Sequence, residues 1–217
     1  VFDHLYAGGK YNSKDYTYSL GTNGLGATAT NYASQWFKVE SIRDGKKYSV
    51  EFNEGVLVGK MKSEPCKDPT GTTISFLPDL DVFTDIIVDK QIIIDTLKSQ
   101  AIVNAGLTFK FKDEREKYKE TFCYPEGVLG YAKELAGYTP LTDPIHFTFE
   151  GSGKDRADKP NYKVKGEVVA IFNNKHTDSL YFHNSSPLLY GGSPRRAREK
   201  ALMEFFKTEL KKTDNNR

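Results

Sequence analysis

Hydrophobic and polar residues alternate with period two over residues 35–41, with Trp36, Lys38 and Glu40 on one side and Phe37 and Val39 on the other. The same alternation returns over residues 47–53 with Tyr48, Val50 and Phe52. This period predicts two half-buried strands, and Arg43-Asp44-Gly45 between them predicts a tight hairpin turn. Residues 56–61 and 72–77 read as two further strands, separated by the turn-rich stretch 64–69. Upstream, the small residues Ala27, Ala29 and Ala33 suit a helix over 22–34 that packs closely on a sheet. The first part of the chain is therefore expected to be an antiparallel sheet of about four strands against a helix.

Beyond residue 88 helical and strand periods take turns. Asp89 is a helix cap, Ile93, Leu97, Ala101 and Asn104 form one stripe, and Gly106 is the stop. Strands over 107–112 and 117–124 are joined by Asp113-Glu114-Arg115-Glu116, and a short helix over 126–137 carries Val128, Ala132, Leu135 and Ala136 at helical spacing. A strand over 145–150 leads into a loop over 151–161. Residues 162–173 and 179–184 then read as a hairpin around Asn174-Lys175-His176. An irregular crossover precedes an amphipathic helix over 195–212, with Ala201, Leu202, Phe205 and Leu210 expected inward. Strands running into helices twice over predict two α+β units.

Composition narrows the class. The 217 residues, 38% hydrophobic and 28% charged, suit a globular protein of one large or two small domains. A chain of this size is able to bury roughly 70% of its unfolded surface. A net charge of +2 singles out no partner. Cys66 and Cys123 are too few and too far apart for a disulfide framework, which favours a reducing, cytoplasmic setting. The longest apolar run, Ile92-Ile93-Ile94, falls far short of a membrane span. The sequence begins at Val1 rather than Met, and a piece of something longer is expected. His4, His146, His176 and His183 show no ligand spacing and read as structural or surface residues. No Ser-His-Asp order is recognisable, no metal site is assigned, and Glu114 and Glu116 read as solvated charges.

The stretch richest in chemistry is Gly21-Thr22-Asn23-Gly24-Leu25-Gly26-Ala27. Glycines at this spacing let the backbone turn tightly and approach a bulky anion. The free N–H groups of a following helix then offer donors to phosphate oxygens. Taken alone, the run is equally a plain loop before an ordinary helix.

Its neighbours add to it. Leu5-Tyr6-Ala7-Gly8-Gly9-Lys10-Tyr11, Tyr16, the 21–27 turn and Gly71-Thr72-Thr73-Ile74-Ser75-Phe76-Leu77-Pro78-Asp79 resemble the B subunit of bacterial type IIA DNA topoisomerases, gyrase or topoisomerase IV. The resemblance implies an α+β fold. Residues 1–105 would be the C-terminal part of a Bergerat-type (GHKL) ATPase sandwich including its ATP lid. Residues 106–217 would be a ribosomal-protein-like transducer domain, incomplete at its C-terminus. It further implies ATP as cofactor and Mg²⁺ held by a residue outside this chain. The implied partners are the topoisomerase A subunit, double-stranded DNA and a second copy of the parent, with no membrane.

Residue by residue, the resemblance gives Lys10 to the terminal phosphate, where a cation offsets growing charge. Tyr16 would touch the nucleoside. Gly21, Thr22, Asn23, Gly24, Leu25, Gly26 and Ala27 would wrap the triphosphate, and the Thr72 hydroxyl would hold a water beside the adenine. The plain alternatives are a solvated lysine, one of 13 tyrosines and a strand-favouring threonine. There are departures: Leu20 stands where the family has a glycine, the Asn-Gly-x-Gly-Ala form is closer to eukaryotic enzymes, and Gly191-Gly192-Ser193-Pro194 replaces the usual Gly-Gly-Thr-His. The family's water-activating glutamate, Mg²⁺-binding asparagine and phosphate-sensing lysine have no counterpart in these residues, so the chain alone is expected not to hydrolyse ATP. Arg195, Arg196, Arg198 and Lys200 form the sharpest basic cluster, either a solvated helix face or a wall of a DNA cavity. Rival readings are another ATPase of the superfamily (MutL-type or chaperone) and a non-enzymatic module binding nucleic acid or protein.

Overall fold

The computed structural model describes residues 2–6, 24–137, 139–154, 156–158, 161–174 and 177–214. It divides into two compact units, Val1–Val88 and Asp89–Arg217.

In the first unit α1 (Gly26–Tyr32) precedes β1 (Ser34–Arg43), β2 (Lys46–Asn53), β3 (Val56–Leu57), β4 (Lys62–Pro65) and β5 (Gly71–Pro78). All pair antiparallel in the order β3-β2-β1-β5, with β4 also on β2. The hairpin expected at Asp44-Gly45 is present, with φ of 53° and 71° at the two residues. That left-handed pair matches the twist of the strands it joins. Glu54 and Gly55, at 48° and 79°, repeat the device between β2 and β3.

Alternation decides the core. Phe37, Val39 and Phe52 are 2%, 5% and 4% exposed, and Phe2 and Val50 pack against them. The Phe37 ring stands 5.7 Å from Phe2, 6.3 Å from Phe52 and 6.0 Å from Phe76. Helix α1 is tied to the start of the chain: Asn31 Nδ2 donates to the Phe2 carbonyl at 3.0 Å and Thr28 Oγ1 to that of His4 at 3.2 Å.

Two expectations fail here. The strand over 56–61 shrinks to Val56–Leu57, because the chain turns through Gly59 at φ 74°. The stretch expected as a turn contributes β4, running from Ser49↔Lys62 to Lys46↔Pro65 against β2. Pro65 is tolerated because β4 has no second neighbour there.

The second unit holds α2 (Lys90–Val103), β6 (Phe109–Asp113), β7 (Tyr118–Phe122), α3 (Gly127–Ala136), β8 (Ile145–Gly153), β9 (Tyr162–Ala170), β10 (Phe182–His183), β11 (Ser186–Pro187) and α4 (Gly192–Asp214). Asp89 caps α2 as expected, its Oδ1 accepting from the Gln91 N–H at 2.8 Å. Its neighbours are α3, β6 and β7. Compactness thus divides the chain before this helix, whereas the sequence reading set the border at 105/106. The strands pair as three separate ribbons, β6–β7, β8–β9 and β10–β11. The hairpin expected between 162–173 and 179–184 does not form. Instead β9 pairs with β8, setting Ala170, Val168 and Gly166 opposite Ile145, Phe147 and Phe149 on one apolar face.

The inward face expected of α4 is also corrected. Leu202, Phe205 and Leu210 are 38%, 58% and 65% exposed, and Ala201 is exposed as well. Among the described residues only Phe37, Val39, Phe52, Ala101, Ile102, Phe122 and Ala136 are buried hydrophobics.

Candidate functional site

Gly24 takes φ 58°, a turn that a side chain would strain. Leu25 follows at the head of α1 with no side-chain cap, and no acidic residue sits in the first turn. No side chain at the cap position takes up the leading N–H groups of α1. Gly24, Leu25, Gly26 and Ala27 are all exposed, and a Cβ on Gly26 would meet nothing within 4 Å. The buried side of the helix is Thr28 and Asn31, so Gly26 and Ala27 at its start face outward while Thr28 and Asn31 anchor it.

Thr72 lies near the start of β5, the edge strand of the sheet. Its Oγ1 stands 3.4 Å from Ser41 Oγ across the pair, and the side chain is exposed. Register puts Thr72 on the same face as Ile74 and Phe76. The Asp79 N–H donates to the Ala33 carbonyl at 3.0 Å and so ties the C-terminal ends of α1 and β5 together. The 24–27 turn and Thr72 occupy the opposite ends of those two elements. Lys10, Tyr16, Gly21, Thr22 and Asn23 lie outside the described residues.

The basic cluster sits on the first turns of α4 and is largely self-paired. Arg195 Nε donates to Glu199 Oε1 at 2.8 Å, which raises the arginine pKa and lowers that of the glutamate. Arg198 donates to Ser179 Oγ and lies 5.7 Å from the Tyr181 ring. Lys200 stands 3.9 Å from Glu204. Arg196 alone of the four has no partner among the described residues. Nothing here gathers metal ligands: among the described residues no three His, Cys, Asp or Glu side chains converge. Cys66 and Cys123 are free thiols. No helix among the described residues is long and apolar enough to cross a membrane.

No family model matches the chain. Curated relatives do. It is 30% identical to the B subunit of DNA gyrase from Archaeoglobus fulgidus over 98% of its length, covering 34% of that protein. With the gyrase B protein of Thermotoga maritima the figures are 30%, 98% and 33%, and with that of Mycoplasmoides gallisepticum 32%, 99% and 35%. The 43K ATPase domain of Thermus thermophilus gyrase B, solved in complex with an aminocoumarin, matches with a TM-score of 0.53 at 30% identity. That match spans 61% of this chain and 37% of that one. The chain is similar to gyrase B proteins along almost all of its own length. It spans about a third of the length of these relatives. The family resemblance read from Gly8-Gly9-Lys10-Tyr11, the glycine turn and Gly71-Thr72 thus holds across almost the whole chain.

Proposed function

We propose that this chain is the lid-to-transducer part of a gyrase-B-type component of an ATP-dependent DNA topoisomerase. It helps bind ATP and passes the closure of the nucleotide site to the DNA gate. The observation that supports this most is the identity of about 30% to gyrase B proteins along almost all of its length. The uncapped head of α1 behind Gly24 is the feature suited to a triphosphate. Lys10, Tyr16, residues 21–27 and Thr72 would hold the nucleotide. ATP supplies the phosphoanhydride bond, and the chain's own part is to wrap the phosphates with backbone N–H groups and bring up the Lys10 ammonium. The described residues offer no ligand set for Mg²⁺, and its ligand is proposed to come from elsewhere in the parent.

The parent would be cytoplasmic, homodimeric through its ATPase region, and partnered by the A subunit and duplex DNA. The border between ATPase and transducer parts is proposed at 105/106. The isolated 217 residues are proposed to bind ATP weakly and not to hydrolyse it, since by the family resemblance the water-activating glutamate has no counterpart among them, and a general base typically contributes 10²–10⁴ in rate. Titration with a fluorescent, non-hydrolysable ATP analogue tests this. Lys10→Ala should weaken binding about tenfold or more, the worth of one charged hydrogen bond. Equal affinity of the two proteins, or steady phosphate release from ATP by the pure chain, sinks the reading.

A further inference from the structure

The β6–β7 ribbon separates its residues cleanly. Phe109, Phe111, Asp113, Tyr118, Glu120 and Phe122 are buried or half-buried, while Lys110, Lys112, Lys119 and Thr121 are exposed on the other face. Register sets Lys112 directly opposite Lys119, a like-charge pair that weakens a two-stranded ribbon. Lys110 stands two residues from Lys112 along β6, roughly 7 Å by strand geometry. Lys117 adds a fourth ammonium at the turn, where its φ is 53°. The turn end of the ribbon bounds a hollow of about 410 Å³ that Lys112, Lys117 and Lys119 help to line.

On this face the carboxylates nearby neutralise Lys112 alone. Glu114 pairs with Lys112, Glu116 with Lys90 on α2, Asp113 with Arg115, and Glu120 accepts from the Tyr118 hydroxyl. Lys110, Lys117 and Lys119 have no ionic partner among the described residues. The contrast is with the start of α4, where each of Arg195, Arg198 and Lys200 already has a polar partner.

We propose that the lysine face of the β6–β7 ribbon, Lys110, Lys112, Lys117 and Lys119, is a sequence-independent contact for the phosphate backbone of duplex DNA. The choice of duplex DNA rests on the function proposed above; the site itself rests on the register and the unpaired charges. The three unpaired ammoniums of Lys110, Lys117 and Lys119 meet closely spaced phosphates and release their counterions, and Lys112 joins them once it leaves Glu114. The small residue Thr121 beside them leaves the backbone open to approach. A like-charged pair held opposite itself is stable only at a cost to the ribbon, which a bound polyanion removes.

The test is fluorescence anisotropy of a labelled 20-base-pair duplex with the full 217-residue chain across a salt series. Each lysine at a phosphate contributes a log–log slope of about 0.9. The triple variant Lys110→Ala, Lys117→Ala, Lys119→Ala should lower the slope by about 2.7. The corresponding triple Lys→Arg variant should keep it. Melting of the alanine variant should occur at or above the wild-type temperature, because a repulsive pair is removed. An unchanged slope overturns the proposal. So does a slope lost on Arg195→Ala with Arg196→Ala and kept in the lysine variant, or binding of poly-glutamate as tight as that of the duplex. ATP-analogue affinity, measured alongside, should not respond to the lysine changes, so failure of this site and failure of the ATPase reading are told apart.

Discussion

The β1–β2 hairpin and the β8–β9 ribbon are alike in length, pairing and pattern, yet only one of them has a core. Each is antiparallel, and each carries one apolar face built from every second residue. In β1–β2 that face is Phe37, Val39 and Phe52, at most 5% exposed. In β8–β9 it is Ile145, Phe147 and Phe149, between 47% and 51% exposed. The other face of β8–β9 is polar and cross-linked, with His146 Nε2 2.9 Å from Glu167 and Lys165 Nζ 2.6 Å from Glu150. The difference lies in what stacks above the face. Phe2 and Phe76 close over Phe37 from the chain start and from β5, while among the described residues β8–β9 pairs with no third strand and has α3, beside β9, as its main packing neighbour. A two-stranded ribbon is marginal by itself. Alternation marks the side of a strand that wants cover, and the cover comes from elsewhere in the chain.

The largest effect is expected from emptying the first face. Phe37→Ala removes a buried ring that touches three others and should destabilise the first unit by about 3–5 kcal/mol. Phe147→Ala, on a half-exposed ring, should cost no more than about 1 kcal/mol. Urea unfolding followed by the fluorescence of Trp36, the single tryptophan, reads the first unit. Amide exchange on β8–β9 reads the second. Equal losses at the two positions break the comparison.

The same contrast explains what the sequence revealed. The β1–β2 hairpin turn, the Asp89 cap and the α3 stripe were legible because each is a local signal read over a few residues. The β8–β9 pairing was not. Residues 162–170 have an alternation that suits either neighbour, and the choice depends on apolar facing partners across a long loop. β4 was missed because Lys62-Ser63-Glu64-Pro65 has no hydrophobic alternation; it is a strand through its ladder to β2 alone. For the nucleotide site, the glycine turn and Thr72 stood out by motif, and the structure supplies the open head of α1 and the edge position of Thr72. Lys10, Tyr16 and residues 21–23 fall outside the described residues. The Lys110, Lys112, Lys117, Lys119 face was overlooked, although its Lys-x-Lys spacing on two neighbouring strands was a signal able to find it.

Two glycines sharpen the comparison at a smaller scale. A Cβ at Gly55 would lie 2.3 Å from Tyr32 Cδ1, and φ there is 79°. Even if Tyr32 swings aside, the left-handed backbone keeps a penalty of about 1–2 kcal/mol for Gly55→Ala. A Cβ at Gly166 would lie 2.1 Å from Phe149 Cζ, a closer approach. Its strand backbone has no positive φ, however, and Phe149 is half-exposed and free to rotate outward. Gly166→Ala should therefore stay within about 0.5 kcal/mol. Thermal unfolding of the two variants checks the order, and a larger loss at Gly166 shows that Phe149 is held more firmly than its exposure implies.

The β6–β7 ribbon stands between these extremes, since its turn is held by charge rather than by a core. Arg115 clasps the buried Asp113 carboxylate, Nε to Oδ1 at 3.1 Å and Nη2 to Oδ2 at 2.6 Å, and its own N–H adds a bond of 2.9 Å to Oδ1. The side-chain bond to Arg115 and, beyond it, the backbone N–H lower the Asp113 pKa from 3.8 to about 2, against a smaller opposing effect of burial. Because the folded value is the lower one, the stabilisation is complete above about pH 4 and is lost as pH falls through about 2. Wild-type stability of this ribbon should therefore decline over that window, and Asp113→Asn should flatten the decline while weakening the turn at neutral pH. Glu150 on β8 is also lowered, by Lys165, but it is 72% exposed and its pair is screened by solvent. Glu150→Gln should leave the acid profile of its ribbon almost unchanged. Amide exchange of residues 109–122 and 145–170 between pH 5 and 2 separates the two. Parallel profiles for wild type and Asp113→Asn mean that the clasp does not hold the turn, and that Phe111 against Tyr118, 6.0 Å apart, holds it instead.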